Sequence, residues 1–226
     1  MEVSFLPRDN PAVRISDLEI RPPQQARSQA SLERVLQAGT EILLERGAEG
    51  FTVAEVSRRS GVSIGAIYTR APSKDALIHA LHHRAMESLD LEAEQELAVD
   101  GWDGVPVVAG IIKVVSTVSN LMLRHAKIIG VFMPLADVDK EIRVQGSIYS
   151  RRVATRFAEV LGRYRDEFTN DDPDLAIEMC FRLVYSAIAR RIMRGETFES
   201  GTPVPSEVFV RELADASVAY LTLPRA

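Results

Sequence analysis

The sequence predicts an all-α protein, with a small three-helix module near the N-terminus followed by a larger helical bundle. Three observations carry this. Apolar residues recur at three- and four-residue steps over most of the chain. Glycine, proline and small polar clusters cut those stretches into helix-length pieces. Nowhere does the strict alternation of a half-buried strand appear. The chain has 226 residues, 46% of them hydrophobic and 26% charged, which is enough apolar material for a globular core.

Residues 1–26 contain Pro7, Pro11, Pro22 and Pro23 with no clear period and read as a flexible arm. A first amphipathic helix follows, with Leu32, Val35, Leu36, Gly39, Ile42 and Leu43 on one face and Gly47 as its stop. Thr52 opens a short second helix, and Glu55 three positions later suggests a reciprocal capping box. Ser60-Gly61 is its turn. Ser63 caps a third helix, with Val62 and Ile67 spaced as a hydrophobic staple and Pro72 as its stop. Ser73 caps a fourth, where Leu77, Leu81, Ala85 and Leu89 keep a four-residue period to about Leu97. The cluster at residues 100–104 is a turn. Further helices are expected at about 105–126, 127–136, 138–168, 173–194 and 206–222. The breaks between the last four fall at residues 134–139, 169–173 and 195–205. The domains expected are an arm at 1–26, a helix-turn-helix domain at 27–90 with its motif at about 52–71, and a helical domain at 91–226.

The formal charge of −5 is unevenly spread. Residues 21–84 hold nine basic and six acidic side chains, a net +3, leaving −8 elsewhere. A mildly basic module on an acidic body suits nucleic-acid binding. Cys180 is the only cysteine, so an intrachain disulfide and a cysteine-based zinc site within one chain are excluded. Residues 1–10 hold acids and a proline but no apolar run, so no signal peptide is expected. Residues 105–123 are the most apolar stretch, broken by Pro106, Lys113 and Asn120, and read as a buried helix rather than a membrane span. A cytoplasmic protein without a membrane partner is expected.

Two short helices joined by a glycine turn, with a third before them, form a helix-turn-helix arrangement. Its second helix must be slim to enter a major groove about 12 Å wide. Ser63, Gly65, Ala66 and Thr69 are small, while Tyr68 and Arg70 reach further, to phosphates or base edges. Residues 61–65 also match the G-x-S-x-G pattern of a hydrolase nucleophile elbow, but that motif needs a preceding strand, and a capped helix stands there instead. His79, His82 and His83 sit at spacings that two-histidine metal sites use, without the H-E-x-x-H pattern. They read as packed or solvated histidines. No paired catalytic motif is present, so neither an enzyme nor a cofactor is expected.

The run from Thr52 to Tyr68 (Thr-Val-Ala-Glu-Val-Ser-Arg-Arg-Ser-Gly-Val-Ser-Ile-Gly-Ala-Ile-Tyr), followed by Pro72-Ser-Lys-Asp-Ala-Leu77, resembles the TetR (tetracycline-repressor-like) family. The resemblance covers residues 29–89 in detail and, beyond them, only the helical architecture. It implies a sequence-specific DNA-binding transcription regulator, a repressor released by a small-molecule effector. By the same resemblance Thr52, Ser63, Tyr68 and Lys74 would contact phosphates, and Ile64, Gly65, Ala66 and Thr69 would face base edges. Arg27 would touch the backbone or an adjacent minor groove. The family carries an aromatic two or three residues after the tyrosine. Thr69, Arg70 and Ala71 stand there instead, which predicts lighter packing of the third helix and frees Arg70 for DNA. The C-terminal domain would bind the effector and form a homodimer through its last two helices, whose small residues include Ser186, Ala187, Ala189, Ala214, Ala216, Ser217 and Ala219. A dimer would read a palindromic operator in double-stranded DNA. Ser116, Asn120, Arg124, His125, Tyr149 and Arg152 are the polar candidates for the effector. The alternative is a helical ligand-binding or interaction protein of the same fold without DNA binding, consistent with the acidic net charge and the missing aromatic.

Overall fold

The structure is a computed structural model that describes residues 26–197 and 200–224, with the side chains of residues 26, 27 and 99 left aside. The arm expected at residues 1–26 lies outside the described residues except Ala26, which already begins the first helix. Among the described residues every element is helical: α1 Ala26–Arg46, α2 Val53–Ser60, α3 Ile64–Tyr68, α4 Lys74–Glu96, α5 Val107–Arg124, α6 Ala126–Val138, α7 Lys140–Gly162, α8 Pro173–Arg194 and α9 Ser206–Thr222, with 3-10 turns at Val99–Trp102 and Arg165–Glu167.

The chain divides into two compact units. The first runs to Ser88 and takes in Gly130–Ile148. The second comprises Leu89–Ile129 and the chain from Tyr149 onward. The units therefore interleave along the sequence, where two continuous stretches were expected.

In the first unit α1 packs on α2, and α2 on α3. Val35, Leu36, Ile42 and Leu43 of α1 are buried, as are Phe51, Val53, Val56, Ile67, Leu77 and Leu81. Full burial of each large side chain contributes about 1.5–3 kcal/mol. Gly39 lets α1 pass close to Leu81 of α4: a Cβ there would lie 2.8 Å from a methyl of Leu81. The second part of this unit adds Phe132, Ile142 and Ile148 to the core. His82 of α4 stands edge-on to the Phe132 ring at 4.8 Å. Burial, with His83 and His79 close by, pushes its imidazole down to about 4.

In the second unit α5 packs on α8 and α9. Ile111, Val114, Val115, Val118 and Leu121 of α5, Phe157 and Leu161 of α7, and Val184 and Ile188 of α8 are buried there. α5 is long and apolar enough to cross a membrane by composition, but its apolar face is the core of this unit. Cys180 of α8 is buried, and desolvation pushes its thiol up to about 11. Arg191 is buried, the one guanidinium so placed among the described residues. It donates to the Val204 carbonyl at 2.7 Å and the Ser206 hydroxyl at 3.1 Å, and lies over the Phe209 ring, so it fastens the turn between α8 and α9.

The break expected within residues 134–139 falls at Asp139, between α6 and α7, and Pro134 itself lies inside α6, which runs on to Val138. Its exposed ring lies near the helix end, where the N–H it lacks costs one bond. The helix expected at 138–168 stops at Gly162. The chain then turns so that Tyr164 is buried against Gly110, where a Cβ would come within 2.5 Å of the phenol oxygen.

Candidate functional site

The α2-turn-α3 segment is built by local caps. The Thr52 hydroxyl accepts from the Glu55 N–H at 3.2 Å. Gly61 takes the turn at φ 67°, a left-handed conformation that suits glycine. The Ser63 hydroxyl accepts from the Ala66 N–H at 3.3 Å and starts α3, and Ser73 does the same for α4 through the Ala76 N–H at 3.0 Å. Within the turn, the Ser57 hydroxyl donates to the Val62 carbonyl at 2.7 Å. From α1, Arg34 donates to the Ser60 carbonyl at 3.1 Å.

The capping box is only half made. The Glu55 carboxylate accepts from Arg58 and Arg59 instead of from the Thr52 amide, and these partners hold its carboxyl down to about 2. Arg59 also forks onto Glu45 of α1, at 2.7 and 2.5 Å. Arg84 pairs with Glu33. The excess of basic residues in this region is therefore largely spent on holding α1, α2 and α4 together.

α3 has one inward anchor, Ile67, which is buried. Ser63, Ile64, Gly65, Ala66, Tyr68 and Thr69 are exposed, Tyr68 at 45% and Ile64 at 43% of their full surface. Around Gly65 a Cβ would meet nothing within 4 Å. The Thr69 hydroxyl closes the last turn on the Gly65 carbonyl at 2.8 Å. Lys74 is exposed, its ammonium 3.3 Å from the Ala48 carbonyl. Thr52 is exposed at the start of α2. Arg27 lies in α1, and its side chain is outside the described residues. Arg70 is half-buried and donates to the Ser28 hydroxyl of α1. It thus ties α3's end to α1, a role that its position after the tyrosine did not signal. Ala71, in place of an aromatic, is buried. The three histidines of α4 go separate ways: His79 to Asp139 at 2.7 Å, His82 to Phe132, and His83 to Glu87 at 3.2 Å.

In the second unit the effector candidates divide by burial. Asn120 is exposed, and Tyr149 is buried with the Arg152 guanidinium over its ring at 5.2 Å. Arg152, Arg124 and His125 are all engaged with acids of α4. Arg152 and Arg156 share Asp90, at 2.8 and 2.6 Å. His125 meets Glu92 at 2.9 Å, and Arg124 reaches Glu96 and Glu92. Arg156, Asp90, Glu92 and Glu96 were not singled out in the sequence. The one signal available was the spacing of Arg152 and Arg156, one helical turn apart.

Residues 35–81 match the model of the bacterial regulatory proteins, tetR family. The matched segment, from α1 to α4, is therefore similar to the DNA-binding module of that family. Among curated proteins, none matches the chain. Solved structures share the fold across most of its length. A candidate TetR-family transcriptional regulator from Mesorhizobium loti superposes with a TM-score of 0.70 at 15% identity, covering 88% of this chain and 100% of its own. Salmonella enterica GusR gives 0.62 at 17%, covering 85% and 96%. The transcriptional regulator FadR from Bacillus subtilis, in complex with stearoyl-CoA, gives 0.59 at 16%, covering 86% and 100%. At these identities the likeness of the second unit to a TetR-type bundle is a likeness of fold.

Proposed function

We propose that this chain is a cytoplasmic transcriptional repressor that binds a palindromic operator as a homodimer and leaves it when a small molecule binds its second unit. The observation that carries the reading is α3: a five-residue helix anchored inward by Ile67 alone, with a slim exposed face from Ser63 to Thr69. Such a rod fits a major groove, with Ile64, Gly65, Ala66 and Thr69 toward base edges. Tyr68, Lys74 and the capped starts of α2 and α3 at Thr52 and Ser63 then meet phosphates, where helix N-termini favour anions. Arg27 and Arg70 add backbone contacts from α1 and from the end of α3.

One five-residue helix reads few base pairs, so the reading requires two copies with recognition helices about 34–36 Å apart. Support for the dimer comes from α8, where Leu175, Met179, Leu183 and Met193 recur at helical spacing and are exposed. On α9, Val210, Ala214, Ser217 and Leu221 are already buried within the chain, so the small residues left for a partner there are Ala216 and Ala219.

The second unit holds the effector, with Asn120, Arg124, His125, Tyr149 and Arg152 as candidate contacts. The FadR complex with stearoyl-CoA supports a small-molecule role for a bundle of this fold. Release follows as a population shift. α4 contributes Lys74–Ser88 to one unit and Leu89–Glu96 to the other, so a ligand that favours a different setting of α4 disfavours DNA binding. A coupling of about 1–3 kcal/mol changes affinity about 5- to 150-fold. This reading makes the chain a binder rather than an enzyme.

Selection of bound sequences from a random duplex pool tests it. An enriched palindrome, bound with an affinity that falls steeply with salt, is the expected result. The ion pairing of Arg58, Arg59, Arg46 and Arg84 favours the second reading, a helical ligand-binding protein without DNA binding, and a pool that emerges unenriched would select it.

A further inference from the structure

We infer that Arg152 and Arg156 of α7 recognise an anionic group of the effector, a carboxylate or a phosphate, which takes the place of Asp90 of α4. The inference rests on the reading that the second unit binds an effector, and names its chemistry.

Two guanidiniums converge on one carboxylate. Arg152 Nη1 is 2.8 Å from Asp90 Oδ2, and Arg156 Nη1 is 2.6 Å from Asp90 Oδ1. The three side chains keep only 25%, 20% and 15% of their surface. Two cations thus face one anion where water is scarce, and like charges one turn apart on a helix repel.

The hydrogen bonding is also incomplete. A guanidinium carries five N–H donors in a planar fork made for carboxylate and phosphate. Each arginine gives Asp90 a single nitrogen, so neither makes the two-pronged bond. Asp90 is fixed to the backbone of α4 and cannot turn to meet both forks. A free carboxylate or phosphate can bridge them, using donors that Asp90 leaves idle. Tyr149, under the Arg152 guanidinium, keeps that head in place during the exchange. Two other acids of this stretch of α4 have partners of their own: Glu92 is held by His125 and Arg124, and Glu96 by Arg124.

Displacing Asp90 removes α4's ion pairs to α7 and leaves those to the end of α5. The anion therefore acts on the helix that also runs into the DNA-binding unit, which joins recognition to release. A cationic effector has no place in this arrangement.

The test uses the full chain and three forms: wild type, Asp90→Ala, and Asp90→Ala with Arg152→Gln and Arg156→Gln. Acetate and inorganic phosphate are titrated at constant ionic strength, and thermal stability is followed. Asp90→Ala vacates the space between the arginines, so either probe is expected to raise its melting temperature saturably toward wild type. The triple variant is expected to lose that response. The probe that saturates at the lower concentration distinguishes a carboxylate from a phosphate. Asp90→Ala is also expected to weaken operator binding about 5- to 150-fold, the range of a typical allosteric coupling. An identical anion response with and without the two arginines overturns the inference. Should Asp90→Ala fail to fold, Asp90→Asn, which keeps the shape and drops the charge, takes its place in the same titration. Wild-type DNA binding is measured in parallel: its loss would sink the regulator reading, whereas intact binding without an arginine-dependent anion response sinks this inference alone.

Discussion

Single side chains decide how charge is used in the first unit. Lys74 is exposed at the start of α4, its ammonium beside a backbone carbonyl, a position open to a phosphate in the proposed complex. Lys74→Ala is expected to weaken binding to all duplexes alike and to lower the slope of log affinity against log salt by about 1. A nitrocellulose-filter or anisotropy titration over salt measures this, and an unchanged slope would remove Lys74 from the interface. His82 has a different consequence. Its folded imidazole titrates at about 4, against an ordinary value of 6.5. Between those values the unfolded chain binds a proton that the folded chain does not. His82 therefore leaves stability untouched above the upper value and subtracts from it as pH falls through the window, by about 3 kcal/mol at the bottom. Urea unfolding of wild type and His82→Gln from neutral pH to pH 4 checks this, because the variant should show a flatter dependence.

At the scale of elements, α3 is a helix whose sequence trades stability for slimness. Gly65 sits inside it with open space around its Cα. Gly65→Ala is expected to stabilise the chain by up to about 1 kcal/mol, the helix preference of alanine, while weakening DNA binding through the added methyl. Opposite signs in thermal melts and gel shifts would be the signature of a face that approaches a duplex. If both improved, α3 would not be the reading element. The caps of α2, α3 and α4 were legible in the sequence because each is settled within four residues: Thr52 with Glu55, Ser63 with Ala66, Ser73 with Ala76. Their surroundings were not legible. Arg70 holds Ser28 across 42 positions, and Arg156 holds Asp90 across 66, distances at which periodicity carries no information. Likewise α7 ends at Gly162 because Tyr164 packs on Gly110, a contact invisible to any local window. The break near Pro134 was legible to within a few residues: α6 carries the proline near its end and stops at Val138.

For the molecule as a whole, the proposed function requires a second copy, because one five-residue helix reads few base pairs. Leu183 is 52% exposed on α8, in line with Leu175 and Met179. Leu183→Arg is expected to raise the dimer dissociation constant about 30-fold, from a cost of about 2 kcal/mol at a central interface residue. Sedimentation velocity should then show a monomer at concentrations where wild type is dimeric, with operator binding lost alongside. A dimer undisturbed by this change would move the interface away from α8. Within the second unit, the lone thiol of Cys180 offers a clock. Shielded from water and reluctant to ionise, it stays silent toward a maleimide while α8 and α9 remain closed. The pace of its alkylation therefore times how often that part of the bundle breathes, and a ligand that tightens the bundle would slow it.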